Sequence, residues 1–353
     1  MQYDPFERGG FPVGVRTFYW TDPARNERPL TVEIWYPATD VHRGQDVAEA
    51  TRDTYELIPG LPSGWQEAVR DAAPRQARCP LVVFSHGFGG HRRQSTFLCT
   101  HLASHGYVVA AMDHTGNTIF EMFQIMMEAQ MGAAPPEPAT ILSEIIPARP
   151  ADASFIIDRM LAGVAGIPAV DPARIGMSGH SFGGWTTLMV AARDRRVRAA
   201  LPLAPAGGWT VLPSEPLQAA LDFAWGRDVP TLFLVAESDT ILPLKGMYEL
   251  FARAGSSKRM LVLADADHMH FCDQIETIHE LFRMMPPPIF DQVSAAIKPI
   301  DELCAPEQAY SFVRGLGLAH MDAHVRGHEP AGVFLEKELP ATLRARGIDA
   351  ALA

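Results

Sequence analysis

The residues Gly179-His180-Ser181-Phe182-Gly183 set a serine between two glycines, with one residue separating it from each. The run before them, 174–178, predicts a short buried strand, and the run after them, 184–192, predicts a helix. A G-x-S-x-G pattern between a strand and a helix is typical of a nucleophile elbow, a sharp turn that pushes the serine hydroxyl outward. The five-residue pattern also arises by chance, but in this setting it predicts that Ser181 is a nucleophile.

A nucleophilic serine needs a base, and the base needs a carboxylate that orients it. After Ser181, the β-prone run 230–235 leads into a loop that carries Asp239, and the next such run, 259–263, leads to His268. Ser, then Asp, then His is the chain order that accompanies the G-x-S-x-G elbow. The sequence therefore predicts a triad of Ser181, Asp239 and His268.

Neighbouring residues compete for both of these roles. Residues two apart in extended chain point the same way, so the spacing leaves His270 open as the base and Glu237 open as the acid. Other histidines are interpreted as packing or hydrogen-bonding residues; they are His86, His101, His105, His114 and His180.

Acyl transfer also needs hydrogen-bond donors for the negative oxygen of the tetrahedral intermediate. The buried run 80–85 is followed by the glycine-rich turn His86-Gly87-Phe88-Gly89-Gly90. A turn of this kind supplies one backbone amide, which we assign to Phe88. The second donor is expected from Phe182, the residue immediately after the nucleophile.

Several stretches resemble one family. They are Ser85-His86-Gly87-Phe88-Gly89-Gly90, 102–111, Asp113-His114, Arg149-Pro150-Ala151-Asp152 and 179–184. Together they are similar to the platelet-activating-factor acetylhydrolase and predicted dienelactone hydrolase group of the α/β-hydrolase superfamily, over about residues 8 to 275. The segment 268–273 resembles the His-x-x-Phe-x-Asp around the catalytic histidine of that group, which favours His268 over His270.

The sequence departs from the acetylhydrolases at the acid. The strand after the nucleophile helix, 199–203, runs into Ala204-Pro205-Ala206 without a carboxylate. Residues 238–243, one strand later, instead resemble the acid loop of bacterial cutinase-like polyester hydrolases, which supports Asp239. A true dienelactone hydrolase would use cysteine at the position of Ser181, so that specificity is not implied.

Strand-like runs lie near residues 14–20, 30–36, 80–85, 107–112, 174–178, 198–203, 230–235 and 259–264. The first two predict an antiparallel hairpin at the edge, and the others alternate with helical patterns as a parallel sheet requires. We expect an α/β-hydrolase fold in which a mostly parallel sheet of about eight strands is flanked by helices. Residues 1–353 are predicted to form a single domain of this kind.

Two segments exceed a minimal domain, 115–150 and 272–330. The first is rich in methionine, whose flexible thioether adapts to varied apolar shapes. We interpret both segments as lid or cap insertions, while amphipathic helices packed on the domain remain an equal alternative for the first. The residues expected to line an acyl pocket are Met122, Met126, Met127, Phe282 and Met285.

Composition fits an ordinary globular enzyme. The chain has 353 residues, is 47% hydrophobic and carries a formal charge of −11, which argues against nucleic acid and anionic membranes as partners. No apolar stretch approaches the ~20 residues of a membrane span, and residues 1–7 lack a signal-peptide pattern, so a cytoplasmic location is expected. The four cysteines are interpreted as reduced thiols, with a Cys272–Cys304 bridge as a minor alternative.

The predicted function is hydrolysis of carboxylic esters with short or medium acyl groups through a serine acyl-enzyme, with no cofactor and no metal. Lactones, amides and polyester chains are alternative substrates for the same triad, and the sequence does not separate them. A non-catalytic binding protein on this fold is a weaker alternative. A further alternative is a metal cluster, formed by Asp265, Asp267, His268, His270 and Asp273.

Overall fold

A computed structural model of the chain describes residues 3–56, 64–134, 136–286 and 290–353. Contacts between residues divide the chain into two units. The first unit is Arg8–Ile175, and the second is Gly176–Ala353 together with Met1–Glu7. The division falls inside strand β8 (Ala169–His180), which leads into the elbow.

The first unit contains the predicted antiparallel hairpin. Strands β1 (Val13–Asp22) and β2 (Arg28–Pro37) pair along their whole length. Its other strands are β3 (Asp53–Tyr55), β4 (Gly64–Gln66), β5 (Val69–Arg70), β6 (Arg78–Ser85) and β7 (Val108–Met112). The order within its sheet is β6-β7-β2-β1-β5, with β6 and β7 parallel. Because β5 pairs with β1, the hairpin is not the edge that the sequence predicts.

The helices of the first unit lie between β6 and β8 in the chain. They are α1 (Thr96–Ser104), α2 (Ile119–Gln130) and α3 (Pro138–Ala162). Of these, α1 and α3 contact β7, whose five residues are all buried. The predicted lid segment 115–150 therefore consists of α2 and the first half of α3, and its role as a lid stays a prediction.

After the end of β8, the second unit contains three parallel strands and one antiparallel strand. They are β9 (Val197–Leu203), β10 (Thr231–Ala236), β11 (Lys258–Leu263) and β12 (Ala350–Leu352). Strands β9 to β11 are almost entirely buried, as expected of parallel strands in a sheet covered by helices. Their carboxyl ends carry the loops in which the sequence predicts the site.

Eight helices are described in the second unit. They are α4 (Phe182–Arg193), α5 (Glu215–Ala220), α6 (Leu244–Arg253), α7 (Ile275–Met284), α8 (Asp291–Ser294), α9 (Pro306–Met321), α10 (Glu329–Leu335) and α11 (Leu339–Arg344), of which the four-residue α8 is a single turn. Helix α4 packs on β9, and α9 packs on β9 and β10. The predicted cap segment 272–330 is thus largely helical within the described residues.

All eight predicted strands are present, and the prediction of an α/β fold with a mostly parallel sheet and flanking helices is confirmed. The additional strands are two or three residues long. The four cysteines carry free thiols. Within the described ranges, no helix is both long and apolar enough to cross a membrane.

Candidate active site

Ser181 lies at the turn between β8 and α4 in a backbone conformation that few side chains adopt, with φ 59° and ψ −118°. Two hydrogen bonds hold it there. The Ser181 amide donates to the carbonyl of Leu203 over 2.9 Å, and the Ser181 carbonyl accepts from the amide of Ala206 over 2.9 Å. Strain of this kind persists only where surrounding bonds fix it, and it is concentrated at active sites. The predicted nucleophile elbow therefore has its expected geometry.

Gly184 explains why small residues surround the serine. A Cβ atom at this position would lie 2.8 Å from the Cα of Pro205 and 3.1 Å from the carbonyl oxygen of Leu203. Helix α4 therefore begins in direct contact with the chain that leaves β9, and any larger residue would push the elbow away from the sheet.

Asp239 and His268 are hydrogen bonded to each other, as the predicted triad requires. The distance from His268 Nδ1 to Asp239 Oδ2 is 2.7 Å, and both side chains are buried. The other carboxylate oxygen, Oδ1, accepts from the amides of Ile241 and Leu242 over 3.0 and 2.8 Å. Because an ionised carboxylate only accepts, Nδ1 of His268 carries the proton and Nε2 is left to act as a base.

The His268 ring lies beside the elbow. It begins a 3₁₀ turn, His268–Phe271, after β11, and its centroid is 4.5 Å from that of His180, the residue that directly precedes Ser181. Burial lowers the pKa of His268, but the charge and hydrogen bond of Asp239 outweigh burial and raise the pKa above 6.5. For His180, burial and the charge of His268 both hold the pKa well below 6.5, so this neighbour stays neutral. The structure thus joins Asp239 to His268 and places the His268 ring beside the residue that precedes Ser181, while the catalytic roles of these residues stay a prediction.

His270, the alternative base, has both ring nitrogens in use elsewhere. Nδ1 accepts from the amide of Asp267 over 3.1 Å, so Nε2 carries the proton and donates to the carbonyl of Cys304 over 3.2 Å. Burial lowers the pKa of His270 to about 4. Glu237, the alternative acid, accepts from the amide of Asp265 over 3.1 Å. These contacts favour His268 and Asp239 over their neighbours.

Asp267 is a buried carboxylate next to the predicted triad that the sequence suggested only as a metal ligand. Its Oδ1 accepts from the amide of His268 and from the amide of Thr240 over 3.5 Å. Burial, followed by the charge of Asp239, raises its pKa. Among the residues described, no three side chains of metal-ligand type form a metal-binding group. The contacts of Asp267 are those of a side chain that orders the loop around the base.

The predicted oxyanion turn lies in the first unit. Gly89 adopts φ +61°, and a Cβ atom there would lie 2.7 Å from Cγ of Met122, so the Met122 side chain packs against the turn. The carbonyl of Gly90 accepts from the amide of Ile119 over 2.9 Å, which joins the start of α2 to the same turn. In the second unit, Phe182 is the first residue of α4 and follows the serine directly.

The remaining predicted pocket residues differ in exposure. Met126 and Met127 are 41% and 40% exposed on α2, and Met285 is 67% exposed after α7. Phe282 is half-buried, with its ring centroid 5.1 Å from that of Phe290. Their assignment to an acyl pocket stays a prediction.

Two family models match different parts of the chain. Residues 6–144 match the family described as platelet-activating factor acetylhydrolase, isoform II, and residues 162–283 match the family described as PET hydrolase-like. The second match includes the predicted acid loop and base. The combined resemblance that the sequence predicts, to acetylhydrolases first and to cutinase-like enzymes at the acid, is confirmed.

Curated relatives include both acetylhydrolases and cutinases. A platelet-activating factor acetylhydrolase of Canis lupus familiaris is 24% identical over 60% of this chain and 51% of the relative. Cutinase est1 of Thermobifida alba is 29% identical over 53% of this chain and 52% of the relative. A putative phospholipase A2 of Schizosaccharomyces pombe is 33% identical over 33% of this chain and 27% of the relative. The chain therefore spans about half of two of these relatives and about a quarter of the third.

A solved structure covers nearly the whole chain. The ferulic acid esterase of Streptomyces cinnamoneus superimposes with a TM-score of 0.62 and 26% identity, over 90% of this chain and 91% of the esterase. A coverage of this extent reaches into both family matches. The fold is the α/β-hydrolase fold, and the chain is an α/β-hydrolase related to the acetylhydrolases and the cutinases.

Proposed function

We propose that the protein hydrolyses carboxylic esters through a serine acyl-enzyme. Ser181 attacks the ester carbonyl, and its proton passes to Nε2 of His268, which returns it to the departing alcohol. His268 then activates a water molecule that releases the acid. Asp239 keeps the imidazole in the required tautomer, and the amides of Phe88 and Phe182 stabilise the oxyanion.

The hydrogen bond of 2.7 Å between His268 Nδ1 and Asp239 Oδ2 is the observation that carries this proposal. It leaves Nε2 unprotonated, on a ring whose centroid lies 4.5 Å from that of His180, the residue preceding the strained serine. A base in this tautomer beside a nucleophile elbow is the arrangement that acyl transfer needs.

The substrate proposed is a small-molecule ester with a short or medium acyl group. Met122 packs on the turn of Phe88, and α2 begins at that turn, which supports an apolar wall of limited length there. The relatives are named for acetyl, cutin, phospholipid and feruloyl esters, so an ester is favoured over an amide. A cytoplasmic location and the lack of a nucleic-acid partner stay predictions.

A panel of nitrophenyl esters from acetate to palmitate, with lactones and a small aromatic polyester film beside them, tests the proposal. We expect hydrolysis to fall steeply beyond about eight acyl carbons. Ser181→Ala should lower it ~1000-fold or more, because the nucleophile is lost while the side chain stays small. Equal rates on the butyrate ester, the palmitate ester and the polyester film would contradict a pocket of limited length.

Ser178→Ala provides the matched control. Ser178 lies in β8, the strand that leads to Ser181, and its buried hydroxyl donates to the carbonyl of Leu201 over 2.9 Å. This variant should lose stability and keep its turnover. A folded Ser181→Ala protein with more than a tenth of wild-type activity would show that another residue is the nucleophile.

A further inference from the structure

Arg149, in α3, is a fully buried arginine that contacts the predicted oxyanion turn. Its Nη1 donates to the carbonyl of His86 over 2.8 Å, and its Nη2 donates to the carbonyl of Gly87 over 2.9 Å. Burial lowers the pKa of Arg149 to about 9, which the charge of Asp152 partly counteracts. Placing a cation in the interior is strongly unfavourable before its contacts are counted, so packing alone does not account for this residue.

His86 provides a second donor to the carbonyl of Gly87. The amide of His114 donates to His86 Nε2 over 3.1 Å, so the ring proton is on Nδ1. Nδ1 lies 2.7 Å from the carbonyl oxygen of Gly87 and donates to it. Burial and the charge of Arg149 hold the pKa of His86 well below 6.5, which keeps this tautomer neutral.

A chain of buried residues fixes His86 and Arg149 in turn. Ser85 Oγ lies 2.8 Å from His114 Nε2, and His114 Nδ1 lies 2.9 Å from Asp152 Oδ2. The other oxygen of Asp152 accepts from Arg25 and Arg28 over 2.6 and 2.8 Å. This is a serine–histidine–aspartate series, but all three side chains are fully buried, so it cannot reach a substrate. This series fixes the carboxyl end of β6 and helix α3 in position beside the turn 86–90.

Because the peptide bond is planar, these contacts with the Gly87 carbonyl fix the direction of the Phe88 N–H. The Gly87 carbonyl and the Phe88 amide belong to one trans peptide unit, in which C=O and N–H point in opposite directions. The Gly87 oxygen is held inward by His86 Nδ1 and Arg149 Nη2, and the Gly87 amide donates to Gln94 Oε1 over 2.8 Å. Pinning that carbonyl towards the interior therefore directs the N–H of Phe88 away from it.

We propose that Arg149, together with His86, is a positioning residue that locks the Gly87–Phe88 peptide in the orientation that makes Phe88 an oxyanion donor. This inference rests on the proposed function, in which the Phe88 amide stabilises the tetrahedral intermediate. Without the lock, the peptide can rotate and present its carbonyl, which repels the oxyanion. Arg149 acts only through the peptide and touches no reacting atom.

Arg149→Lys tests the inference, because lysine keeps the charge but has no fork that reaches two carbonyls. We expect kcat to fall by about 100-fold, as for loss of one oxyanion donor, with KM changed less than threefold. The second readout is inhibition by an aryl trifluoromethyl ketone. Addition of Ser181 Oγ to its carbonyl carbon converts C=O to an oxyanion and transfers the serine proton to His268. Its Ki should rise by the factor by which kcat/KM falls.

Arg227→Lys is the matched control. Arg227 donates to the carbonyls of Val197, Ala191 and Asp194, at the opposite end of α4 from Ser181. It should lower thermal stability without changing kcat per folded molecule or the inhibitor Ki. If Arg149→Lys does not fold, His86→Leu removes the other donor and should lower kcat about tenfold with the same inhibitor signature.

Three outcomes would overturn the inference. The first is a folded Arg149→Lys or His86→Leu protein with kcat within threefold of wild type. The second is a loss in Arg149→Lys that Arg227→Lys matches. The third is a fall in kcat with an unchanged Ki for the ketone. A wild-type protein that hydrolyses no ester would instead refute the proposed function, and this inference with it.

Discussion

Replacement of Asp239 by asparagine would reverse the hydrogen bonding of the predicted base. In the wild type, Oδ1 accepts from two backbone amides and Oδ2 accepts from His268. An asparagine must point its carbonyl oxygen at those two amides, because its NH₂ group cannot accept from them. The NH₂ group then faces His268 Nδ1, which has to accept, so the ring proton moves to Nε2. A base that already carries a proton at Nε2 cannot take one from Ser181.

We expect Asp239→Asn to lower turnover by up to ~10,000-fold while the protein stays folded, since the two amide contacts of the loop survive. Steady-state hydrolysis of nitrophenyl butyrate gives the magnitude, and thermal unfolding checks the fold. Glu237→Gln is the control: the Glu237 side chain accepts from the Asp265 amide and does not contact His268 in the part of the chain that is described, so turnover should stay near wild type. An Asp239→Asn enzyme with normal turnover would show that the acid lies elsewhere and that the tautomer argument is wrong.

Three further predictions concern the histidines and their neighbour Asp267. His268→Ala should match Ser181→Ala in activity, whereas His270→Ala should keep activity within about tenfold per folded molecule. The His270→Ala protein should lose about 1–3 kcal/mol of unfolding free energy, because the Cys304 carbonyl and the Asp267 amide lose their hydrogen-bond partner. The reverse ranking would make His270 the base. The pH profile of kcat/KM should rise through a midpoint above 6.5, because the pKa of His268 is raised and only its neutral form accepts a proton. Asp267→Asn should move that midpoint down, because the charge of Asp267 also raises the pKa of His268; a midpoint that stays in place would contradict this electrostatic account.

The chemistry-bearing loops were predictable from the sequence because each follows a long buried strand. Strands β10 and β11 are runs of apolar, β-prone residues, and such runs identify both the strand and the loop after it. The short strands were not predictable. Strand β5 is two residues long and β12 is three residues long, too short for a period-2 pattern to be recognised. The pairing of each is decided by the neighbouring strand.

The roles of the supporting side chains also could not be predicted from the sequence. Arg149 and Asp152 were recognised only as part of a family resemblance, and their roles depend on contacts with residues more than thirty positions away, such as Gly87 and His114. The choice between His268 and His270 had a similar origin. Spacing could not separate them, whereas their hydrogen-bond partners do.

Strand β12 has a consequence for the order in which the protein can be completed during synthesis. Residues Leu261, Val262 and Leu263 of β11 find their outer partners only in residues 350–352, which are made long after them. Until then the nascent chain exposes an apolar strand edge of the kind that pairs with other chains and promotes aggregation. The outer edge of β11, the strand that leads to His268, therefore stays unpaired until the end of synthesis. Until then it has to be protected from other chains by a chaperone or the ribosome surface. Deleting residues 350–352 should increase aggregation during refolding, and an unchanged refolding yield would refute this view.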